Sequence, residues 1–115
     1  MGRVIKFYHT ESGRCPVEEF LDELDDRALA KVLAVFKLIE MQDMVPVQYF
    51  KKLSDQKLWE ARVSHAGQAY RFLGFWDKGA LIILTHGFSK KTPKTPDQEI
   101  KKAKRYMADW EGRSS

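Results

Sequence analysis

Hydrophobic positions along the 115-residue chain change from the period of a strand to the period of a helix and back. A short β-branched and aromatic run, Val4 to Tyr8, predicts a first strand followed by a polar loop. From Pro16 the apolar residues recur every three or four positions, which predicts a short helix beginning there. A second helix is predicted from Asp25-Asp26 to about Asp43, so the two helices form a helical hairpin.

The second half returns to the period of a strand. The segment Met44 to Ser54 contains a proline and predicts a loop or an irregular approach to the sheet. Three strands are then predicted in close order, at Lys57 to Ser64, Gln68 to Trp76 and Ala80 to Phe88. Their two connections each contain a glycine and have the length of three-residue hairpin loops, which indicates an antiparallel meander.

A last helix is predicted from the segment Thr95 to Gln98, with Thr95 as the N-cap and Pro96 at the first position. The predicted order is therefore β-α-α-β-β-β-α. This order indicates an α+β fold, in which an antiparallel sheet is packed by an N-terminal helical hairpin and a C-terminal helix. The sequence shows no repeat and no internal linker, so we expect residues 1–115 to form a single domain.

Composition excludes several classes of protein. Apolar residues make up 43 % of the chain, which is enough for a globular core, and the single Cys15 cannot form an internal disulfide. The three histidines show no metal-binding spacing, so no metal or other cofactor is expected. The longest apolar run, Ala80 to Leu84, is far below the roughly 20 residues of a membrane helix, and the sequence predicts a cytoplasmic protein.

Charge is unevenly distributed along the chain. Up to Val47 there are six basic against nine acidic residues, a net charge of −3, whereas from Gln48 onward there are fourteen against seven, a net charge of +7. The overall charge of +4 therefore comes from the second half alone. Such an excess favours an anionic or phosphate-bearing partner, although basic faces are often merely solvated.

Charged residues interrupt two strands of the predicted meander. A period of two places Glu60 and Arg62 on one face of their strand, and Arg71 on the apolar face of the next strand. A short hairpin would bring the two arginines together, where they repel unless an anion or Glu60 lies between them. The alternative is a surface ion pair between Glu60 and Arg62 with Arg71 extending to solvent.

The third strand of the meander leads into a basic, hydroxyl-rich loop that contains Lys90, Lys91 and Lys94. Cations before a helix N-terminus form a plausible phosphate-binding surface, but a solvated loop fits the same pattern. His86 has a side chain that titrates near neutral pH and is a candidate acid or base. Its alternation with Ile82, Leu84 and Phe88 favours a buried core histidine instead.

Three motifs in the second half resemble a known family. They are Leu58-Trp59-Glu60-Ala61-Arg62, Tyr70-Arg71-Phe72, and His86-Gly87-Phe88-x-Lys90-Lys91-Thr92-x-Lys94-Thr95-Pro96. The chain resembles the phage-derived Gp49-like branch of the HigB toxins, which is similar to the wider RelE/ParE toxin superfamily. The resemblance extends over nearly the whole chain and implies a RelE-like fold, a curved antiparallel sheet with a helical hairpin.

The resemblance implies a toxin of a type II toxin-antitoxin module. Its activity would be that of a metal-independent endoribonuclease, which cuts translated mRNA in the ribosomal A site. The expected partners are mRNA, the ribosome and a HigA-like antitoxin with a helix-turn-helix domain. Contact with DNA is expected only through that antitoxin, and no membrane partner is expected.

Site residues follow from the matched motifs. Arg62 and Arg71 occupy positions where related nucleases place cations, and Lys91 is the third expected cation. The base is expected to be Glu60 or His86, although a clustered lysine is a further candidate. Additional phosphate-binding residues are expected at Lys90, Lys94, Lys52 and Lys101.

Two other functions remain open on the sequence. A ParE-like toxin would inhibit DNA gyrase through protein contacts and would cut no RNA. An inactive relative would survive as a binding or co-repressor module. The basic residues Arg62, Arg71 and Lys91 favour RNA cleavage over inhibition of gyrase, whereas the inactive relative predicts no toxicity.

Overall fold

The computed structural model describes residues 2–53 and 57–114. This part of the chain contains three helices and five strands. In chain order the elements are β1 (Val4–Phe7), α1 (Pro16–Leu21), α2 (Asp26–Met41), β2 (Phe50–Lys52), β3 (Trp59–His65), β4 (Gln68–Trp76), β5 (Leu81–Lys90) and α3 (Asp97–Ser114). The α+β class is confirmed, as are the predicted starts of the first two helices.

The five strands form one sheet in the order β1-β5-β4-β3-β2. Strands β3, β4 and β5 make the predicted antiparallel meander. Strand β1, however, runs parallel to β5, with Val4 opposite Leu81 and Phe7 opposite Leu84. The prediction of a purely antiparallel sheet is therefore wrong, because the hydrophobic pattern of a strand carries no information about its direction.

Strand β2 lies within the segment that was predicted to be a loop or an irregular approach to the sheet. Phe50 pairs with Ala61 of β3, and its ring stacks on that of Trp59 with 4.9 Å between centroids. Three residues are too few to show alternation in the sequence. The predicted order consequently lacks one edge strand.

The sheet is covered by helices on both faces. Helices α1 and α2 pack on one face, where Val17, Val32 and Ile39 meet residues such as Phe72 and Leu84. Helix α3 packs on the other face. Apolar residues of α3 pack there against apolar residues of β4 and β5 and the residue before β3. Those of α3 are Ile100, Ala103, Tyr106, Met107 and Trp110, and those of the sheet side are Leu58, Leu73, Phe75, Ile83 and Phe88. Alternation in β3 and β4 sends successive side chains to these two faces, as predicted.

An irregularity in the pairing of β4 with β5 changes which face His86 occupies. Leu73 is opposite His86, but the next residue, Gly74, is opposite Leu84, so Thr85 is the extra residue of a bulge. His86 therefore lies on the α3 face with Phe88, not on the face of Leu84. The predicted alternation of His86 with Ile82 and Leu84 is wrong for this reason.

Two predicted details of the connections also differ. Strands β3 and β4 are joined by two residues, Ala66 and Gly67, and not by three. Both have positive φ, 50° and 79°, as a tight two-residue hairpin turn requires. Helix α3 begins at Asp97, and the carbonyl of Pro96 accepts the first helical hydrogen bond, from Ile100.

In residues 2–53 and 57–114, no helix is both long and apolar enough to span a bilayer.

Candidate functional site

Charged side chains converge on the α3 face of the sheet. Glu60 is paired with Lys51 across β2 and β3, and Arg62 is paired with Arg71 across β3 and β4. Directly paired residues share a face, so all four side chains lie on the same side of the sheet. Lys90, at the end of β5, lies diagonally from Arg71 on that face. We refer to Lys51, Glu60, Arg62, Arg71 and Lys90 as the Glu60 cluster.

Glu60 is the centre of the cluster and is only 3 % exposed. Its Oε1 lies 3.5 Å from Nε of Arg62 and 3.5 Å from Nε of Arg71. Its Oε2 accepts a hydrogen bond of 2.6 Å from the hydroxyl of Thr95. A single buried carboxylate is thus shared by two guanidinium groups, as the pairing of β3 and β4 allows.

The two arginines differ in their access to solvent. Arg71 is 8 % exposed and donates a 2.9 Å hydrogen bond from Nη1 to the carbonyl of Tyr70. Burial lowers the pKa of Arg71 and the nearby charge of Arg62 lowers it further, while Glu60 opposes both. The side chain of Arg62 is 30 % exposed. Arg62 is therefore the guanidinium that an anion from solvent reaches first.

Lys90 belongs to the same electrostatic environment. Its half-buried position lowers the pKa of the ammonium group, and the positive charges of Arg71, Arg62 and Lys51 lower it further. Glu60 acts in the opposite direction. Lys91, the third cation expected from the sequence, is exposed, and its side chain forms no hydrogen bond or ion pair with any described residue. The structure thus brings Lys90 to the arginine pair and leaves Lys91 in solvent.

The other expected phosphate-binding lysines lie outside the Glu60 cluster. Lys52 is paired with Trp59, whose side chain packs on the opposite face of the sheet. Lys94 is exposed in the loop before α3, and Lys101 is exposed on α3 beside Lys102 and Arg105. These three lysines add positive charge to the surface, and in the described part of the chain their side chains form no hydrogen bond or ion pair with the cluster.

His86 is held in a separate network. It is 3 % exposed, its Nδ1 lies 3.0 Å from the hydroxyl of Thr85, and its Nε2 lies 3.0 Å from Oε1 of Glu99 on α3. Burial lowers the pKa of His86, as does the charge of Lys102, while Glu99 opposes both. Both ring nitrogens are occupied, so His86 joins β5 to α3, which agrees with the interpretation of a buried core histidine.

The backbone register separates His86 from the cluster. Glu60 and His86 are both opposite Leu73, on either side of β4, and two strand spacings amount to about 10 Å. His86 also lines an open groove of about 210 Å³ between α1 and α3, with Phe20 and Tyr106 among its walls. This groove is distinct from the Glu60 cluster.

Two residues of the site were not predicted from the sequence. The sequence pattern does not indicate Lys51 as a site residue because the three residues of β2 are too few to show alternation, although Lys51-Lys52 is visible as a charged doublet. Thr95 was predicted to be a helix cap, and nothing in the pattern indicates that its hydroxyl reaches a residue 35 positions earlier.

The arrangement is suited to binding an anion. Four cationic side chains face one carboxylate, which leaves an excess of three positive charges on a half-buried surface. Charge-assisted hydrogen bonds from guanidinium groups match the oxygens of a phosphate. In residues 2–53 and 57–114, no group of three potential metal-ligating His, Cys, Asp or Glu side chains comes together.

Comparison with known protein families gives a match over most of the chain. A family model described as phage-derived protein Gp49-like (DUF891) matches residues 19–108, more than three quarters of the chain. The matched segment begins in α1, ends in α3 and contains every residue of the Glu60 cluster. No curated protein matches the sequence.

Proposed function

Since the chain belongs to the Gp49-like family of phage-derived proteins, which is associated with RelE-like and HigB-like toxins, we propose that it is a toxin that cuts mRNA during translation. The Glu60 cluster is the observation that carries the proposal. It combines guanidinium groups, a half-buried lysine and an excess of positive charge on one face of the sheet. These are the groups that hold a phosphate and stabilise added negative charge on it.

The reaction is transfer of the phosphorus to the neighbouring ribose oxygen. The 2′-hydroxyl loses its proton to a base, and its oxygen forms a bond to the adjacent phosphorus. The bond from phosphorus to the 5′-oxygen breaks, and that oxygen takes up a proton from solvent. The products are a 2′,3′-cyclic phosphate and a 5′-hydroxyl. Cations around the phosphorus lower the barrier, because charge builds up on its oxygens in the transition state.

The solvent exposure and charge of each residue in the Glu60 cluster indicate its role in the reaction. Arg62 and Lys51 are the cations that solvent reaches most easily, and they contact the phosphate. Arg71, buried behind them, adds positive potential. Lys90 removes the proton from the 2′-hydroxyl, because burial and neighbouring cations lower its pKa and so favour the neutral amine that a base requires. Glu60 and His86 are buried and already hydrogen bonded, which disfavours either as the base.

The partners follow from the same proposal. The substrate is mRNA on the ribosome, and a HigA-like antitoxin with a helix-turn-helix domain neutralises the toxin in the cytoplasm. Such an antitoxin would provide the only link to DNA. The net charge of +7 in the second half of the chain supports an RNA partner, since phosphate contacts dominate the affinity of proteins for nucleic acids.

Controlled expression without an antitoxin tests the proposal. We expect growth arrest together with new 5′ ends in cellular mRNA, mapped by primer extension. Arg62→Ala should lower the frequency of cuts by about 100-fold, the usual effect of removing one charge-stabilising group. Lys78→Ala, which removes an exposed lysine from the turn between β4 and β5, serves as the control and should cut normally.

A second candidate is a protein in which the cluster is only structural. The observation that favours it is the burial of Arg71 against Glu60, since an ion pair that stabilises the fold would have the same contacts. Growth arrest without new 5′ ends would favour a toxin that acts on DNA gyrase. Normal growth of cells that contain folded protein would favour a binding or co-repressor module.

A further inference from the structure

The hydroxyl of Thr95 forms a hydrogen bond to the central residue of the Glu60 cluster. Thr95 lies two residues before α3 and is 6 % exposed, and its Oγ1 donates a 2.6 Å hydrogen bond to Oε2 of Glu60. The start of the helix does not use this hydroxyl in the way an N-cap would. The amides of Glu99 and Ile100 instead donate to the carbonyl of Pro96, at 3.0 and 3.2 Å.

This hydrogen bond determines how Glu60 meets the arginines. With Oε2 occupied by Thr95, only Oε1 faces the two guanidinium groups, at 3.5 Å from each Nε. A carboxylate with both oxygens free prefers to bind one arginine with two parallel hydrogen bonds. Such a pair with Arg62 would withdraw that guanidinium from a phosphate and leave the buried Arg71 without its counter-charge.

We propose that Thr95 is a positioning residue, which orients Glu60 so that its carboxylate is shared between Arg62 and Arg71; Arg62 then stays available to a phosphate and the buried Arg71 keeps its counter-charge. This inference rests on the proposed function and refines it. Thr95 touches no reacting atom and acts through Glu60. The six-residue loop between Lys90 and α3 brings Thr95 close to β3, where its hydroxyl forms the hydrogen bond to Glu60.

A role confined to anchoring α3 predicts different behaviour. Loss of an anchor would lower stability without changing the environment of the arginines in the folded protein. Loss of a positioning residue changes that environment even when the fold is intact. The two roles are separated by the resonances of the Nε–H groups of Arg62 and Arg71, which nuclear magnetic resonance detects individually.

The experiment compares three variants of the purified chain. Thr95→Val removes the hydroxyl at nearly constant volume, and Thr95→Ser keeps it. Thr92→Val is the matched control, because Thr92 lies in the same loop and is exposed, and its hydroxyl donates to the carbonyl of Lys94. We expect Thr95→Val alone to shift the Nε–H resonances of both arginines. It should also lower cleavage of ribosome-bound mRNA by about ten-fold, the equivalent of one charge-assisted hydrogen bond.

A double-mutant cycle with Glu60→Gln tests whether Thr95 acts through Glu60. The shift of the arginine resonances caused by Thr95→Val should become small when Glu60 is replaced, because the carboxylate is then absent. Unchanged Nε–H resonances in folded Thr95→Val, or a shift of equal size in Thr92→Val, would overturn the inference. An undiminished shift in the Glu60→Gln background would overturn it as well.

These outcomes are distinguishable from failure of the proposed function. If the unsubstituted chain cuts no RNA while the arginine resonances respond to Thr95→Val as expected, the nuclease proposal fails and the positioning role remains. If the unsubstituted chain cuts RNA but Thr95→Val leaves both cleavage and the resonances unchanged, only the role of Thr95 fails.

Discussion

Lys90 and Lys91 are adjacent in the sequence but lie in different environments. Lys90 is the last residue of β5 and is half buried beside the arginine pair, whereas Lys91 is exposed at the start of the following loop. The proximity of Arg71, Arg62 and Lys51 lowers the pKa of Lys90 in addition to the effect of burial. These neighbours make Lys90 the better base, although the sequence motif contains both lysines.

The two lysines therefore form a matched pair of substitutions. Lys90→Ala should lower cleavage by about 100-fold or more, the usual contribution of a general base. Lys91→Ala should stay within about two-fold of the unsubstituted protein, because an exposed charge contributes little. Rates of mRNA cleavage by the purified variants measure the difference. Equal losses in the two variants would contradict the assignment of Lys90.

His86 makes stability depend on pH. Its pKa in the folded chain is lowered by burial, whereas an unfolded chain titrates at about 6.5. Below that pH the unfolded state binds more protons, so the contribution of His86 is complete above about pH 6.5 and is lost as the pH falls through the folded-state pKa.

We expect the free energy of unfolding in urea to decrease between about pH 7.5 and about pH 5.5. His86→Asn, which cannot titrate, should show a smaller decrease, and His9→Asn, at an exposed position, should behave like the unsubstituted chain. An increase in stability on acidification would indicate instead that a charged His86 paired with Glu99 stabilises the fold.

The bulge between β4 and β5 decides which face of the sheet carries His86. Gly74 pairs with Leu84 at this point, and the hydroxyl of Thr85 donates a 3.0 Å hydrogen bond to the carbonyl of Leu73. A Cβ added to Gly74 would lie 2.5 Å from the carbonyl oxygen of Ile83. Because that neighbour is backbone, the strand would have to shift to accommodate a side chain.

Gly74→Ala should consequently destabilise the protein by about 1–3 kcal/mol, the typical cost of overpacking. Gly112→Ala is the control, since a Cβ there meets no atom within 4 Å and the residue lies in α3. Alanine in place of a helical glycine should be neutral or stabilising by up to about 1 kcal/mol. Thermal unfolding of both variants measures the two effects, and unchanged stability of Gly74→Ala would show that the bulge is not tightly packed.

Elements with a long, regular pattern were predictable from the sequence, and short or irregular ones were not. The sixteen-residue helix α2 and the meander have clear periods, and their predicted positions are confirmed. Strand β2 has three residues, the direction of β1 depends on distant pairing, and the bulge at Thr85 changes the alternation without a signature in composition. The same holds for the site residues. Arg62 and Arg71 were predictable from the alternation of their strands, whereas Lys51 was not, because it lies in the short strand β2.

Across the whole molecule, the uneven charge of the sequence corresponds to the two faces of the sheet. Helices α1 and α2 come from the half with net charge −3 and cover one face. The half with net charge +7 supplies the Glu60 cluster on the other face. Charge counting predicted an anionic partner. It could not predict that four cations meet one buried carboxylate, because that depends on strand register and on the course of the chain before α3.

The most direct test of the central claim is the chemistry of the RNA ends made by the purified protein on ribosomes programmed with mRNA. The proposed site predicts fragments with a 2′,3′-cyclic phosphate and a 5′-hydroxyl, and a loss of about 100-fold in their rate of formation for Arg62→Ala. Lys78→Ala, at an exposed turn outside the Glu60 cluster, should form these fragments at the rate of the unsubstituted protein. Intact mRNA in the presence of a chain that arrests growth, or undiminished cutting by Arg62→Ala, would contradict the assignment of this site as a ribonuclease centre.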